Sequence, residues 1–128
     1  MMTSPTLTAW QSGNIRALAA TVTHDVVFSS PATDYRGHAA ALHIIGLIAE
    51  VLEEPARTGR WGDERDTLSR FRARIGDDEL NGVLHEEYDA TGQLTHITLF
   101  LRPYAALRAA IGEMRRLLEQ SPLPIRST

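Results

Sequence analysis

The chain has no cysteine and no lysine among its 128 residues. Without thiols there are no disulfide staples, no thiolate nucleophile and no cysteine-based zinc site, and the lack suits a reducing cytoplasm. All 13 basic residues are arginines. No single arginine cluster accounts for them, so the bias reads as that of a GC-rich genome. A formal charge of −3 leaves no basic footprint for nucleic acid. The longest apolar run, Ala39 to Leu52, is broken by His43 and Glu50 and is too short to span a bilayer. The opening Met1-Met2-Thr3-Ser4-Pro5 lacks the charged stretch and apolar core of a signal peptide. The expectation is a cytoplasmic protein with neither a nucleic-acid nor a membrane partner. There is no internal repeat and no low-complexity segment.

What the chain does have is an ordinary globular composition, 43% apolar and 23% charged. Its length fits one domain with a real core, here residues 1–121, followed by a tail over 122–128. Thr3 or Ser4 caps a first helix with Pro5 in its first turn, running to Gly13. Asn14 caps a second, in which Ile15, Leu18, Ala19 and Val22 recur at helical spacing. Val26-Val27-Phe28 reads as a strand stopped by Pro31, and residues 31–37 as a loop. A long helix runs from Gly37 to about Glu54, where Pro55 ends it, with His43 on its solvated side. A weak strand signal lies at Arg57–Trp61. Clearer strands are Thr67–Ile75, Glu79–Asp89 and Gln93–Arg102, joined by turns at Asp77-Asp78 and Thr91-Gly92. Pro103 opens a last helix with Tyr104, Leu107, Ile111, Met114 and Leu118 on one face.

Helices, strand, long helix and then consecutive hairpins is an α+β order. Within it, Trp10-Gln11-Ser12-Gly13-Asn14 resembles the "helix, Gly, Asp/Asn, helix" opening of the NTF2-like (cystatin-like) superfamily. His24-Asp25-Val26-Val27-Phe28-Ser29-Ser30-Pro31 is similar to its first strand, with Arg36-Gly37 opening the long helix. Tyr88-Asp89-Ala90-Thr91-Gly92-Gln93-Leu94 resembles the hairpin between its last strands. Thr98 to Leu107, with Leu101-Arg102-Pro103, is similar to a bacterial subgroup of the SnoaL-like branch. The resemblance implies a cone-shaped, curved antiparallel sheet packed on the N-terminal helices, an internal pocket opening at one end of the cone, and a C-terminal helix. It also implies a homodimer through the sheet's outer face. It implies no particular reaction, because the superfamily holds isomerases, dehydratases, cyclases, epoxide hydrolases and pure binders.

Strand period then assigns faces. Phe71, Ala73, Ile75, Leu80, Leu84, Glu86, Tyr88, Ile97, Leu99 and Leu101 turn toward the helices. Arg70, Arg72, Arg74, Val83, His85, Glu87, His96, Thr98, Phe100 and Arg102 turn outward, where the arginines could pair with Glu87 and Asp89 or Val83 and Phe100 could meet a second copy. Glu86 is the acid on the apolar face. It reads either as a hydrogen-bonded structural carboxylate or as a general acid or base whose pKa burial raises. Tyr88 and His38 are its candidate catalytic companions, with Asp34 and Tyr35 near His38. Trp10, Phe28, Ser30, Tyr35, Trp61, Phe71, Leu84, Ile97 and Leu99 are candidate cavity residues for a small apolar or aromatic ligand. His85, Glu87 and His96 are a poor metal set, and no metal or other cofactor is expected.

The resemblance also tests particular chemistries. In its steroid-isomerase branch the base position falls on Ser30, the oxyanion-hole acid on Leu84 and the helix tyrosine near Thr6. None matches. Arg72-Ala73-Arg74 does not supply the epoxide-hydrolase step. Two readings stay open: a cofactor-independent, SnoaL-like proton transfer on an apolar carbonyl compound, and a non-catalytic dimeric ligand-binding module.

Overall fold

A computed structural model describes residues 4–124. Ser4 caps α1 (Pro5–Ser12): its hydroxyl accepts from the Leu7 N–H at 3.2 Å, and Gly13 ends the helix at φ 75°. Thr3, the alternative cap, lies outside the described residues, as do residues 125–128 of the tail. Asn14 caps α2 (Ile15–Ala19) by accepting from the Ala17 N–H. α2 stops before Val22, which instead opens β1 (Val22–Ser29) and pairs with Leu94. Thr21, Val22 and Thr23 are consecutive β-branched residues, so strand pairing overrides the helical spacing there.

The expected loop at 31–37 contains a short strand, β2 (Asp34–Arg36), hairpinned onto the end of β1. α3 (His38–Val51) ends earlier than expected, and Glu53 already belongs to β3 (Glu53–Gly62). Pro55 therefore lies inside a strand, not at a helix end. It is tolerated because β3 is an edge strand, where a missing N–H costs no ladder bond on the open side. The rest follows as β4 (Asp66–Ile75), β5 (Asp78–Tyr88), β6 (Leu94–Arg102) and α4 (Tyr104–Gln120).

The six strands form one curved sheet in the order β2-β1-β6-β5-β4-β3. The sheet is open at β2 and β3, so it does not close into a barrel. It is also mixed: β1 runs parallel to β6 and every other pair is antiparallel. The long excursion through α3 and three further strands leaves β1 and β6 running the same way.

The β4–β5 turn is Gly76-Asp77 and not Asp77-Asp78, with Ile75 facing Asp78. Gly76 takes φ 59°, the positive value a tight hairpin asks for at its first corner. Phe71 consequently faces Gly82 and not Leu84. The shift is two residues, so no side chain changes face. A Cβ on Gly82 would stand 2.4 Å from the Phe71 ring, which lies over the bare backbone. The β5–β6 register puts Leu84 opposite Leu99 and Glu86 opposite Ile97, as expected.

Phe28, Phe71, Leu80, Leu84 and Ile97 are fully buried between sheet and helices. The Trp10 ring packs 5.9 Å from that of Phe71 and donates its N–H to the Ile45 carbonyl at 3.0 Å. One side chain thus ties α1 to both the sheet and α3. Among the described residues no helix is long and apolar enough to cross a membrane.

Candidate functional site

Glu86 projects from β5 toward the helices and is 0% exposed. It meets the start of α1, where unpaired backbone N–H groups and the helix dipole favour negative charge. One carboxylate oxygen accepts from the Ser4 hydroxyl at 2.6 Å; the other accepts from the Thr6 N–H at 3.1 Å and the Thr6 hydroxyl at 2.8 Å. Burial raises its pKa above the ordinary 4.5, against the opposing pull of Ser4, Thr6 and the Arg60 charge. Tyr88, two residues on, is pushed up to about 12 by burial and then by the charge of Glu86.

Further buried polar groups surround this carboxylate. Thr67 lies directly across from Glu86, and Arg60 across from Ser69 on the same side of the sheet. The Ser69 hydroxyl and two guanidinium nitrogens of Arg60 are buried with no hydrogen-bond partner among the described residues, and the Thr67 hydroxyl lies beside that of Tyr88. Continuing the alternation two steps back from Phe71 places Ser69 and Thr67 inward, a signal the sequence carried. Nothing comparable pointed to Arg60, since β3 was hardly legible.

A separate cavity of about 400 Å³ lies between α3, α4, the end of β6 and the β1–β2 turn. Its wall is apolar, built by Ile44 and Ile48 of α3, Leu99 of β6, and Leu107, Met114 and Leu118 of α4. Ser30, Tyr35, Arg115 and Glu119 supply its polar groups. Only Ala106 and Ala110 of α4 are fully buried, so the helix roofs the space without being embedded in the core.

Of the expected cavity residues, the structure brings Ser30, Tyr35 and Leu99 to this space. Trp10, Phe28, Phe71, Leu84 and Ile97 belong instead to the buried core and do not line this space. Trp61 lies on the opposite side of the sheet, 52% exposed, with the Arg70 guanidinium 5.4 Å above its ring. Glu86, Tyr88 and His38 do not line the cavity. His38 bonds the Ala19 carbonyl at 3.2 Å, tying α2 to α3, and makes no bond to Asp34 or Tyr35. His43 is not simply solvated, because it bonds the Ser121 carbonyl at 2.7 Å and holds the end of α4. Tyr104, expected on the apolar face of α4, is 72% exposed. Residues His85, Glu87 and His96 approach one another, but no group of three metal-ligating side chains is arranged to hold an ion among the described residues.

No protein-family model and no curated protein matches the sequence. Solved structures do match. An uncharacterized protein with a cystatin-like fold from Silicibacter pomeroyi superposes with a TM-score of 0.83 at 20% identity, covering 91% of this chain and 87% of that one. An NTF2-like protein of unknown function from Mesorhizobium loti gives 0.65 at 17% identity, covering 76% and 84%. The fold is NTF2-like. A steroid delta-isomerase from Pseudomonas aeruginosa shares this NTF2-like frame, with a TM-score of 0.80 at 25% identity over 93% of this chain and 95% of that one.

Proposed function

We propose that this NTF2-like protein binds a small apolar or aromatic molecule in the cavity roofed by α4, without a cofactor. The observation that carries the reading is the space itself: about 400 Å³ with apolar walls and a few polar groups. That is the size and character of a small-molecule site. Ala110 supports a direct test, because it is 6% exposed and lines the cavity from α4. Ala110→Phe fills the space with its own ring. An anilinonaphthalene sulfonate dye should bind the wild type saturably, and at least about tenfold more weakly to the variant, a loss of roughly 1.4 kcal/mol. Arg108→Ala, on the outward side of α4, should bind as wild type. Undiminished binding to a folded Ala110→Phe protein removes the proposal.

The unpartnered donors beside Glu86 favour a second reading, a SnoaL-like cyclase or isomerase acting by proton transfer on an apolar carbonyl compound. Glu86 would move the proton while Arg60, Ser69 or Tyr88 received the developing enolate oxygen. Likeness to a steroid delta-isomerase is compatible with this. The residues at that branch's own positions, Ser30, Leu84 and Thr6, supply no such acid, so the chemistry would rest on Glu86. Reaching it requires the start of α1 to lift. With a β,γ-unsaturated ketone as substrate, Glu86→Gln should lower kcat at least about a hundredfold. Equal rates in the two proteins, or none above buffer in the wild type, dispose of this second reading and leave the binding proposal intact.

A further inference from the structure

On the face of the sheet turned away from the helices, the register sets polar side chains side by side. Asp66 of β4, Glu87 of β5 and His96 of β6 share one row, continued by Val27 and then Arg36 of β2. The adjoining row holds His85, Thr98, Ser29 and Asp34. The expected pairing of Arg70, Arg72 and Arg74 with Glu87 and Asp89 does not occur among the described residues. Glu87 stands between Asp66 and His96, away from all three arginines, and serves the histidines instead.

Ser29 is the last residue of β1, and because Phe28 is buried inward the strand alternation turns Ser29 outward. Its Oγ lies 2.8 Å from His96 Nε2, while His96 Nδ1 faces the Glu87 carboxylate at 3.6 Å. Glu87 is also 3.9 Å from His85 Nδ1, and His85 Nε2 bonds Asp66. These contacts decide where the protons sit. A neutral imidazole carries one N–H, and a carboxylate only accepts. His85 donates from Nε2 to Asp66, so it offers Glu87 no donor. Glu87 therefore favours the proton of His96 on Nδ1, leaving a lone pair on Nε2 to accept from the Ser29 hydroxyl. At 3.6 Å the Glu87 contact is one of charge with dipole, longer than a hydrogen bond. Such contacts tighten when substrate is bound.

We propose that Ser29, His96 and Glu87 hydrolyse an uncharged carboxylic ester on this outer face. Hydroxyl, imidazole and carboxylate, joined through these two ring nitrogens, are the parts that make a serine nucleophilic. Ser29 Oγ bonds the acyl carbon as its proton passes to His96 Nε2, and Glu87 orients the ring and stabilises the imidazolium. Collapse of the tetrahedral intermediate breaks the bond to the alcohol oxygen, which leaves with the proton from His96. Water then attacks the acyl-serine, giving a proton to His96; that proton returns to Ser29 Oγ as the acid departs. Thr98, directly opposite Ser29, is placed to donate its hydroxyl to the carbonyl oxygen. A single hydroxyl there suits esters with a good leaving group and not amides. Asp34, Asp66 and Glu87 repel anionic substrates, and Phe100, 56% exposed two residues beyond Thr98, offers apolar surface to the acyl chain. Ser29 is only partly buried and the His96 side chain is 39% exposed, so a substrate reaches both. None of the three residues lines the α4 cavity, and the proposal does not depend on what that cavity binds.

Diisopropyl fluorophosphate should phosphorylate Ser29 with loss of fluoride, and peptide mass spectrometry should find the label there and not on other serines. With p-nitrophenyl butyrate as substrate, Ser29→Ala and His96→Gln should each lower kcat at least about a hundredfold. Glu87 acts through His96 as a positioning residue, so Glu87→Gln should lower kcat at least about tenfold with KM unchanged. Circular dichroism establishes that each variant is folded. No label on Ser29, no turnover above buffer in the wild type, turnover kept in folded Ser29→Ala or His96→Gln, or a Glu87→Gln effect confined to KM each overturns the proposal.

Discussion

Ser4 and Thr6 reach Glu86 from far away in sequence, with separations of 82 and 80 residues. The bonds serve both sides: Glu86 gains donors, and the first turn of α1 gains an acceptor for N–H groups with no intrahelical partner. Burial still outweighs these donors and keeps the carboxyl pKa above 4.5. A raised pKa means the folded protein holds a proton that the unfolded chain has released, across the window between the two values. Stability from this group is therefore complete below about pH 4.5 and falls as pH rises through that window, by up to about 1.4 kcal/mol per pH unit, levelling above the folded value. Denaturant titrations of wild type and Glu86→Gln across pH 4 to 8 should show the stability difference moving in favour of the glutamine variant over that window. A difference that stays flat, or moves the other way, contradicts the raised value. At this scale the sequence was informative about direction but silent about partners. Alternation turned Glu86 inward, yet no local pattern links a strand carboxylate to a helix start so distant. Of the candidate companions, Tyr88 stays close enough to feel the charge of Glu86, while His38 bonds the Ala19 carbonyl instead.

Among the elements, legibility tracked how strictly one face is buried. β4 alternates exposed and buried at all ten positions, so a period of two was unmistakable. β3 has no fully buried residue, carries Pro55 near its start and breaks register twice, so only the weak signal over Arg57–Trp61 announced it. β2 is three residues long and was indistinguishable from loop. The early end of α3 has a similar cause: Leu52 is buried whether it closes a helix or precedes a strand, and apolar spacing cannot separate the two. The turn at Gly76-Asp77 was misplaced because an Asp-Asp pair is also good turn chemistry. The positive φ at Gly76 decides for the glycine. That miss was harmless to the faces only because it was even-numbered.

For the molecule as a whole, side-chain period assigns direction but not volume. Trp10, Phe28 and Phe71 were placed around a cavity because they are large and inward, yet their size is what fills the interior. Room exists where α4 spans from the end of β6 to α3, and its position depends on elements that meet only in the folded chain. The apolar line of α4 was legible at Leu107, Ile111, Met114 and Leu118; that it covers a space and not a packed core was not. This arrangement couples ligand to fold. With only Ala106 and Ala110 buried, α4 is held by less burial than the sheet, so it should open locally at lower free energy. Amides of residues 104–120 should exchange faster than those of β5 in the free protein. A ligand at a hundred times its Kd stabilises the folded state by about 2.7 kcal/mol. Because the cavity closes only when α4 is seated, saturation with the naphthalene dye should slow exchange in α4 well beyond its effect on α1. Equal protection of both helices would mean that the dye binds elsewhere and that α4 is no roof.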